Sequence, residues 1–262
     1  MSRIKKVFTE KTSGILSVFY TAGYPNLNST KDIALYLQEA GADIIEIGIA
    51  FSDPIADGPV IQESNKIALE NGMTLKIILQ QVKELREKVK LPIILMGYIN
   101  PILQYGMEDF CRDATAAGVD GVILPDMPMD EYQTEYKSIF KNYGLSNTFL
   151  ISPTTSEKRI RQIDDATEGF IYAVSASSTT GAKKGFGPEQ ESYFKKLQSL
   201  NLKNPFLIGF GISDYQTFSK ASEYGAGAIV GSAFITTLKE SKDLNNDILE
   251  FVRKLRNAPN QS

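Results

Sequence analysis

The sequence predicts an α/β protein, a single (β/α)8 TIM barrel with additional short helices that spans residues 1–262 as one domain. Two observations predict this fold. A helical stretch ends at a glycine and leads, one or two residues later, into a short run rich in β-branched residues, and this pattern recurs along the chain. The runs are apolar throughout, which is typical of strands in a parallel sheet that is covered on both faces.

Eight strands are predicted in this way, and in chain order they are residues 16–20, 44–47, 92–96, 121–124, 148–151, 170–174, 206–209 and 228–230. Helices are expected between most of them, among others at 33–40, 107–117, 132–143 and 218–224. The glycines expected to end helices in the left-handed conformation are Gly41, Gly118, Gly144 and Gly225. Eight strands alternating with helices, without a linker-like stretch, favour a closed barrel, and an open doubly wound sheet stays the alternative.

Composition and charge fit one large domain. Hydrophobic residues make up 42% of the 262 residues and charged residues 23%, which is ordinary for a chain with a sizeable core. A formal net charge of −3 gives no electrostatic reason to expect nucleic acid or an anionic membrane as a partner. The first residues lack the apolar core of a secretory signal, and no run approaches the about 18 apolar residues of a membrane span. We therefore expect a cytoplasmic protein.

The absence of histidine constrains the chemistry most. It excludes a Ser-His-Asp triad, a Cys-His pair and an imidazole ligand for a metal, and no metal site is predicted. The only cysteine, Cys111, lies in the predicted helix 107–117 and is expected to be a small helix residue, not a nucleophile. None of the predicted strands contains the lysine that a Schiff-base aldolase needs, and Lys183 and Lys184 are expected in a solvated loop. Acid–base chemistry then falls to carboxylates with raised pKa values, lysine or tyrosine.

Two acidic residues near the end of the second predicted strand are candidates, because barrel enzymes carry their active sites at the carboxyl ends of the strands. Glu46 stands among isoleucines in a run that should be buried, where we expect its pKa to be raised. The alternative is a structural ion pair with a distant Arg or Lys. Asp57 lies eleven residues later in a loop bounded by Pro and Gly, and from pattern alone it is equally a turn former or a helix cap.

Three glycine-rich strand exits follow in the C-terminal half, at residues 178–182, 209–213 and 230–233. Glycine lets backbone N–H groups approach an anion closely, and a helix beginning at Ser232 would add its positive end. The loops after strands seven and eight of barrels frequently form a phosphate site. We therefore predict phosphate binding here, with the alternative that each glycine only permits a tight strand-to-helix turn.

Four segments, in order along essentially the whole chain, resemble the tryptophan synthase alpha subunits. The segments are Phe19-Tyr20-Thr21-Ala22-Gly23-Tyr24-Pro25, Glu46-Ile47-Gly48 with Phe51-Ser52-Asp53-Pro54-Ile55-Ala56-Asp57-Gly58-Pro59-Val60-Ile61-Gln62, Thr180-Gly181-Ala182 and Gly209-Phe210-Gly211-Ile212-Ser213. The pattern Phe-Ser-Asp-Pro-x-Ala-Asp-Gly-Pro is very specific to that family. The resemblance implies a lyase of tryptophan biosynthesis that cleaves indole-3-glycerol phosphate to indole and D-glyceraldehyde-3-phosphate by carboxylate acid–base catalysis.

The resemblance also implies roles for individual residues. Glu46 is expected to protonate the indole ring at C3 and to accept the proton of the glycerol hydroxyl. Asp57 is expected to accept a hydrogen bond from the indole N–H and, in a polar and partly wet loop, to stay ionised. The family positions matched for the substrate are Phe19, Tyr98, Asp126, Tyr172 and Thr180, and those matched for its phosphate are Gly181, Phe210, Gly211, Gly231 and Ser232.

The family further implies a partner, a pyridoxal-phosphate-dependent beta subunit that receives the indole in an allosteric alpha2beta2 heterotetramer. The cofactor is expected only in that subunit, and none in this chain. Residues 52–54 and 178–187 fall where the family's mobile, partner-sensing loops lie. Ala50 stands where a proline is common and Ser178-Thr179 where Gly-Val is usual, so the departures concern loop closure and not the catalytic groups.

Two other functions stay open at this point. One is an alpha-like module that mainly activates a beta subunit, and the presence of both Glu46 and Asp57 argues against it. The other is a different phosphate-binding barrel of the same pathway, such as an indole-glycerol-phosphate synthase or a phosphoribosylanthranilate isomerase. The synthase would be expected to use a lysine at a strand end, which is missing from the predicted strands.

Overall fold

The computed structural model describes residues 1–175 and 186–258. The strands of the described chain are all parallel and belong to one sheet. They are β1 (Ile15–Thr21), β2 (Ile44–Gly48), β3 (Ile93–Met96), β4 (Gly121–Ile123), β5 (Ser146–Thr148), β6 (Leu150–Ile151), β7 (Ile171–Val174), β8 (Phe206–Gly209) and β9 (Gly227–Val230).

The sheet closes into a barrel through the fifth predicted strand, which is split in two. β5 pairs with β4 and β6 pairs with β7, and only Phe149 separates the two halves. The carbonyl of Phe149 accepts a hydrogen bond from the N–H of Tyr172 over 3.0 Å. One continuous segment therefore bonds to both ends of the remaining sheet, which confirms the barrel and excludes the open sheet.

Helices connect the strands and form the outer layer. They are α1 (Arg3–Glu10), α2 (Ser29–Ala40), α3 (Pro59–Glu70), α4 (Leu75–Leu85), α5 (Ile99–Tyr105), α6 (Met107–Ala117), α7 (Met129–Glu131), α8 (Lys137–Tyr143), α9 (Glu157–Ala166), α10 (Pro188–Ser199), α11 (Tyr215–Tyr224), α12 (Ser232–Glu240) and α13 (Leu244–Arg256). A π-helical turn, Tyr132–Tyr136, joins α7 to α8. Across the residues that the structure describes, no helix is long and apolar enough to cross a membrane.

The helix ends follow the predicted glycines, with one exception. Gly225 has a φ of −116°, so the prediction of a left-handed residue there is wrong. A Cβ on Gly225 would lie 2.8 Å from the carbonyl oxygen of Phe206, so a close approach of two backbones requires the glycine. The three glycines that do end helices in the left-handed conformation are Gly41, Gly118 and Gly144, with φ of 91°, 93° and 69°.

The interior of the barrel is closed at its N-terminal end. Ile4 of α1 is fully buried and packs on the interior cluster, next to residues such as Ile15 and Ile44. Beside it, Asp120 precedes β4 and accepts hydrogen bonds from Arg3 over 2.9 Å, from the backbone N–H of Ile93 over 2.9 Å, and from Arg86. Side chains and ion pairs therefore fill this end of the barrel. The active site is expected at the opposite end, where the carboxyl ends of the strands lie.

Candidate active site

Glu46 lies on the interior face of β2, in register with Phe19 of β1 and Ile94 of β3. Its side chain is fully buried, and Oε1 accepts a hydrogen bond from the Ser17 hydroxyl over 2.6 Å, while Oε2 is buried without a partner. Burial raises the pKa of Glu46 to about 7, and the Ser17 hydrogen bond lowers it in part. Among the described residues Glu46 forms no ion pair, so the alternative of a structural pairing with Arg or Lys is not realised there.

Asp57 lies in the loop between β2 and α3, half-buried. Its carboxylate accepts a hydrogen bond from the hydroxyl of Tyr98 over 3.3 Å, and that hydroxyl in turn accepts one from the N–H of Ala56 over 2.9 Å. It does not cap α3, whose N-cap is Gly58.

Asp57 is less exposed to solvent than its sequence context predicted. The ring of Phe51 packs on the ring of Tyr98 at 5.2 Å, which covers this part of the loop. Burial raises the pKa of Asp57 to about 6, and the Tyr98 hydrogen bond lowers it in part. At pH 7 such a group is still mostly ionised, but with a narrower margin than the expectation of a solvated aspartate implied.

The environment of Tyr172 on β7 shows that Glu46 and Asp57 lie near the same part of the barrel interior. Its side chain is buried, and burial together with the nearby charges of Glu46 and Asp57 raises the pKa of its hydroxyl well above the usual value. Both carboxyl groups therefore lie close enough to the Tyr172 hydroxyl to raise its pKa. Glu46 accordingly points into the barrel interior and not into the helix layer. Asp126 is also close to the mouth, since its charge raises the pKa of Tyr98.

The ring of Phe19 lies between the end of β2, the strand that carries Glu46, and the glycine that follows β9. A Cβ on Gly48 at the end of β2 would lie 2.7 Å from Cζ of Phe19. A Cβ on Gly231, after β9, would lie 3.5 Å from Cδ1 of the same ring. The ring therefore spans from the exit of β2 to the exit of β9, and glycine leaves room for it at both.

The exits of β8 and β9 lie side by side, because these strands are paired. After β8, Phe210 and Gly211 have φ of 68° and 77°, and the Ser175 hydroxyl donates to the Phe210 carbonyl over 2.7 Å. A left-handed non-glycine residue costs of order 1–3 kcal/mol, and such residues cluster at active sites and ligand clamps. After β9, α12 begins at Ser232 as predicted, and no side chain caps it. The first N–H groups of a helix have no acceptor within it, so they are free to bind an anion.

Some predicted residues are placed elsewhere or not at all. Asp126 is exposed, and its carboxylate accepts from the N–H of Ile99, the first residue of α5, over 3.0 Å, which is a local structural contact. Thr180 and Gly181 lie outside the described residues, as do the two lysines of that loop and most of the predicted partner-sensing segment. Cys111 is buried in α6 and burial raises its thiol pKa to about 12, consistent with a small helix residue.

Two polar contacts of the site were missed by the sequence reasoning, namely those of Ser17 and Ser175. Ser17 alternates with Ile15 and Phe19 on the interior face of β1. A single hydroxyl in an otherwise apolar and aromatic buried strand was the available signal, since buried hydroxyls need a hydrogen-bond partner. Ser175 is in the turn after β7, where polar residues are common, and no local signal marks it.

A closed parallel barrel with two carboxyls of raised pKa at its carboxyl-end mouth, next to two glycine-rich strand exits, is the arrangement of a barrel enzyme that works by proton transfer on a phosphorylated substrate. Comparison with known proteins defines the family. A family model described as tryptophan synthase alpha chain matches residues 6–260. The chain belongs to the tryptophan synthase alpha chain family.

Relatives and solved structures agree with this assignment. The chain is 53% identical to the tryptophan synthase alpha chain of Flavobacterium johnsoniae, over 98% of this chain and 100% of that protein. It is 46% identical to the one from Bacteroides thetaiotaomicron over the same shares. Its fold matches the tryptophan synthase subunit alpha of Legionella pneumophila with a TM-score of 0.88 at 33% identity, covering 98% and 97% of the two chains. A crystal structure of tryptophan synthase from M. tuberculosis in an aminoacrylate-bound form matches with a TM-score of 0.86 at 27% identity, covering 98% of each chain.

Proposed function

We propose that this site cleaves indole-3-glycerol phosphate to indole and D-glyceraldehyde-3-phosphate, with Glu46 as the acid–base group. The family makes the chain a carbon–carbon lyase of tryptophan biosynthesis. The observation that carries the residue assignment is the fully buried Glu46 carboxyl, whose pKa is raised by burial to about 7. An acid–base group is most effective when its pKa lies near the working pH.

The proton balance of the reaction fits one carboxyl group. Glu46 donates its proton to C3 of the indole ring, and the resulting carboxylate takes the proton of the hydroxyl on the carbon attached to C3. The bond between C3 and that carbon then breaks, its electron pair restores the indole ring, and the hydroxyl carbon becomes the aldehyde of glyceraldehyde-3-phosphate. The group ends in the protonation state in which it began.

Asp57 is the second participant. Protonation at C3 places positive charge on the indole ring, and a carboxylate that accepts the indole N–H stabilises it. The Tyr98 hydrogen bond favours the ionised form of Asp57. Productive substrate binding therefore needs Glu46 protonated and Asp57 ionised. The rate consequently falls at low pH as Asp57 is protonated and at high pH as Glu46 loses its proton.

The substrate phosphate is assigned to the exits of β8 and β9. The unusual backbone of Phe210 and Gly211 and the uncapped start of α12 at Ser232 support this assignment. Phe19 and Tyr172 would line the indole and glycerol side, while Thr180 and Gly181 enter the proposal from the family pattern alone. The contact of Asp126 with α5 favours a structural role for it at least in part.

The finer partner assignment is also a proposal. A pyridoxal-phosphate-dependent beta subunit in an alpha2beta2 assembly would receive the indole, with no cofactor in this chain. Two exposed apolar side chains support a covered surface near the mouth, since Ile55 in the loop beside Asp57 is 89% exposed and Leu103 on α5 is 46% exposed. A cytoplasmic location, in keeping with a biosynthetic role, stays a prediction.

The decisive test is release of indole from indole-3-glycerol phosphate, by the chain alone and with a beta subunit added. Glu46→Gln should lower kcat by at least about 100-fold with the fold retained, because one proton-transfer group contributes on the order of 10² to 10⁴ in rate. Glu84→Gln, an exposed glutamate on α4, is the matched control and should keep wild-type turnover. If no indole forms under any partner condition, the reaction assignment is wrong, and if the Glu46 variant turns over normally, the residue assignment is wrong.

A further inference from the structure

Ser17 makes the single hydrogen bond that the described structure gives to the Glu46 carboxyl. Its hydroxyl donates to Oε1 over 2.6 Å, and both side chains are fully buried. The residues in register with Ser17 on either side, Ile44 of β2 and Ile229 of β9, are apolar. The hydroxyl therefore has one acceptor within reach, and the acid has one fixed donor.

We propose that Ser17 is a positioning residue, which fixes the orientation of the Glu46 carboxyl and determines that Oε2 is the oxygen that carries and receives the catalytic proton. This inference rests on the proposed function, since it concerns the same acid.

The two oxygens of a carboxyl group are equivalent until a neighbour distinguishes them. A donated hydrogen bond at Oε1 disfavours a proton there, so the proton of neutral Glu46 resides on Oε2. Oε2 is buried and has no partner in the described residues, so no other described protein group engages its proton. The same bond also fixes the carboxyl in the barrel wall, which holds the acid in place through both halves of the reaction.

A purely structural role would not require a hydroxyl. Burying one among isoleucines is unfavourable unless it is hydrogen-bonded, and an alanine or valine would serve the packing without that cost. The other titratable groups that face this interior are Tyr172 from β7 and Asp57 from the loop after β2. Among the described residues neither hydrogen bonds to Glu46, so burial raises its pKa and Ser17 is the one described hydrogen-bond partner that opposes this shift.

The experiment compares Ser17→Thr with Ser17→Val, because these two side chains are nearly isosteric and both suit a strand, but only threonine keeps the hydroxyl. The hydrogen bond stabilises the ionised form of Glu46, so its loss in the valine variant should raise the pKa of the acid by about one unit. The alkaline limb of the pH profile of kcat/KM should move to higher pH by the same amount, and kcat should fall about tenfold. KM should change less than about twofold, since Ser17 is fully buried and has no exposed surface to offer a substrate. The threonine variant should retain the wild-type values.

An independent readout follows the acid itself. The infrared carboxyl band that disappears in Glu46→Gln should titrate about one unit higher in the valine variant than in the threonine variant. Should the valine variant fail to fold, Ser17→Ala removes the hydroxyl with less steric demand and is measured against the same threonine control.

Equal alkaline limbs and equal kcat values for the threonine and valine variants would overturn the role of Ser17 while leaving the proposed reaction intact, provided that Glu46→Gln is inactive. Normal turnover of Glu46→Gln would instead remove the acid from the mechanism, and the role of Ser17 would be rejected with it.

Discussion

The ring of Tyr172 lies directly on the backbone of Gly209, so close that a Cβ on residue 209 would come within 2.0 Å of Cε2 and 2.4 Å of the hydroxyl oxygen. The two residues belong to paired strands, β7 and β8, and both face the interior of the barrel. A backbone position at the end of β8 therefore determines where the phenol sits relative to Glu46 and Asp57.

Gly209→Ala should displace the Tyr172 ring and with it the substrate surface of the site. Overpacking of this kind typically costs about 1–3 kcal/mol of stability, and we expect kcat/KM to fall by at least about tenfold. Urea unfolding and steady-state assay of indole release measure the two effects. Gly187→Ala is the control for the kinetics, because Gly187 has a φ of −82° and its added Cβ would meet only Oε1 of Gln190, at 3.8 Å. Gly187 is the N-cap of α10, so this variant should lose about 0.5–1 kcal/mol of stability but keep the wild-type kcat/KM. Wild-type kinetics in Gly209→Ala would show that the ring position does not matter.

The raised pKa of Glu46 predicts a pH-dependent cost to stability. Its pKa rises from an ordinary value of 4.5 to about 7 on folding, so the folded state binds the proton more strongly than the unfolded chain. Stability is therefore reduced progressively as pH rises from about 4.5 and the reduction is complete above about pH 7, where it reaches on the order of 3 kcal/mol. Glu46→Gln cannot ionise, so its unfolding free energy relative to wild type should increase by about 2–3 kcal/mol between pH 5 and pH 8.

Urea unfolding at several pH values across that range checks this prediction. Glu84→Gln is again the control, because the hydrogen bond from Lys31 lowers the pKa of Glu84. Glu84 is therefore ionised in both the folded and the unfolded chain above its ordinary pKa. Its contribution to the free energy of unfolding should not change between pH 5.5 and pH 8. A difference between Glu46→Gln and wild type that stays constant with pH would mean that the acid is not desolvated in the folded protein.

Ser232→Asp tests the phosphate site at the start of α12. A carboxylate at a helix N-terminus stabilises the helix by about 0.3–1 kcal/mol, so the variant should fold at least as well as wild type. The same charge repels a phosphate bound to the free N–H groups, and we expect KM for indole-3-glycerol phosphate to rise at least about tenfold with a smaller effect on kcat. Ser232→Asn introduces a similar volume without charge and should have a much smaller effect. An unchanged KM in the aspartate variant would place the phosphate elsewhere.

Asp120→Asn should destabilise the barrel without affecting its chemistry. The carboxylate is buried between Arg3 and Arg86 at the N-terminal end of the strands, and removing one charge of such a cluster typically costs about 3–5 kcal/mol. Because the site lies at the opposite end, kcat should be unchanged at temperatures where the variant is folded. Arg112→Ala is the contrast, since it breaks pairs with Asp109 and Asp113 that are exposed to solvent, and it should destabilise the protein far less than Asp120→Asn. Equal losses in the two variants would contradict this account.

Much of the fold could be predicted because its signals are local. The apolar strand runs and the glycines that end helices are read within a few residues, and the helix at Met107–Ala117 was predicted with its observed bounds. Gly225 shows the limit of this reading, since the glycine is required by the carbonyl of Phe206, a residue of another strand. The split of the fifth strand at Phe149 likewise depends on which strands it pairs with on each side.

The sequence by itself determined the barrel class and the presence of an acid in an apolar strand, because periodicity and burial tendency are properties of a short segment. It did not determine the environment of the two carboxyls. The Ser17 contact to Glu46 and the Tyr98 contact to Asp57 join residues 29 and 41 positions apart, and they exist only because parallel pairing of β2 with β1 and with β3 brings those segments together. The pKa of Asp57 was left to the tertiary structure for the same reason, since desolvation depends on what packs over a loop and not on the residues within it.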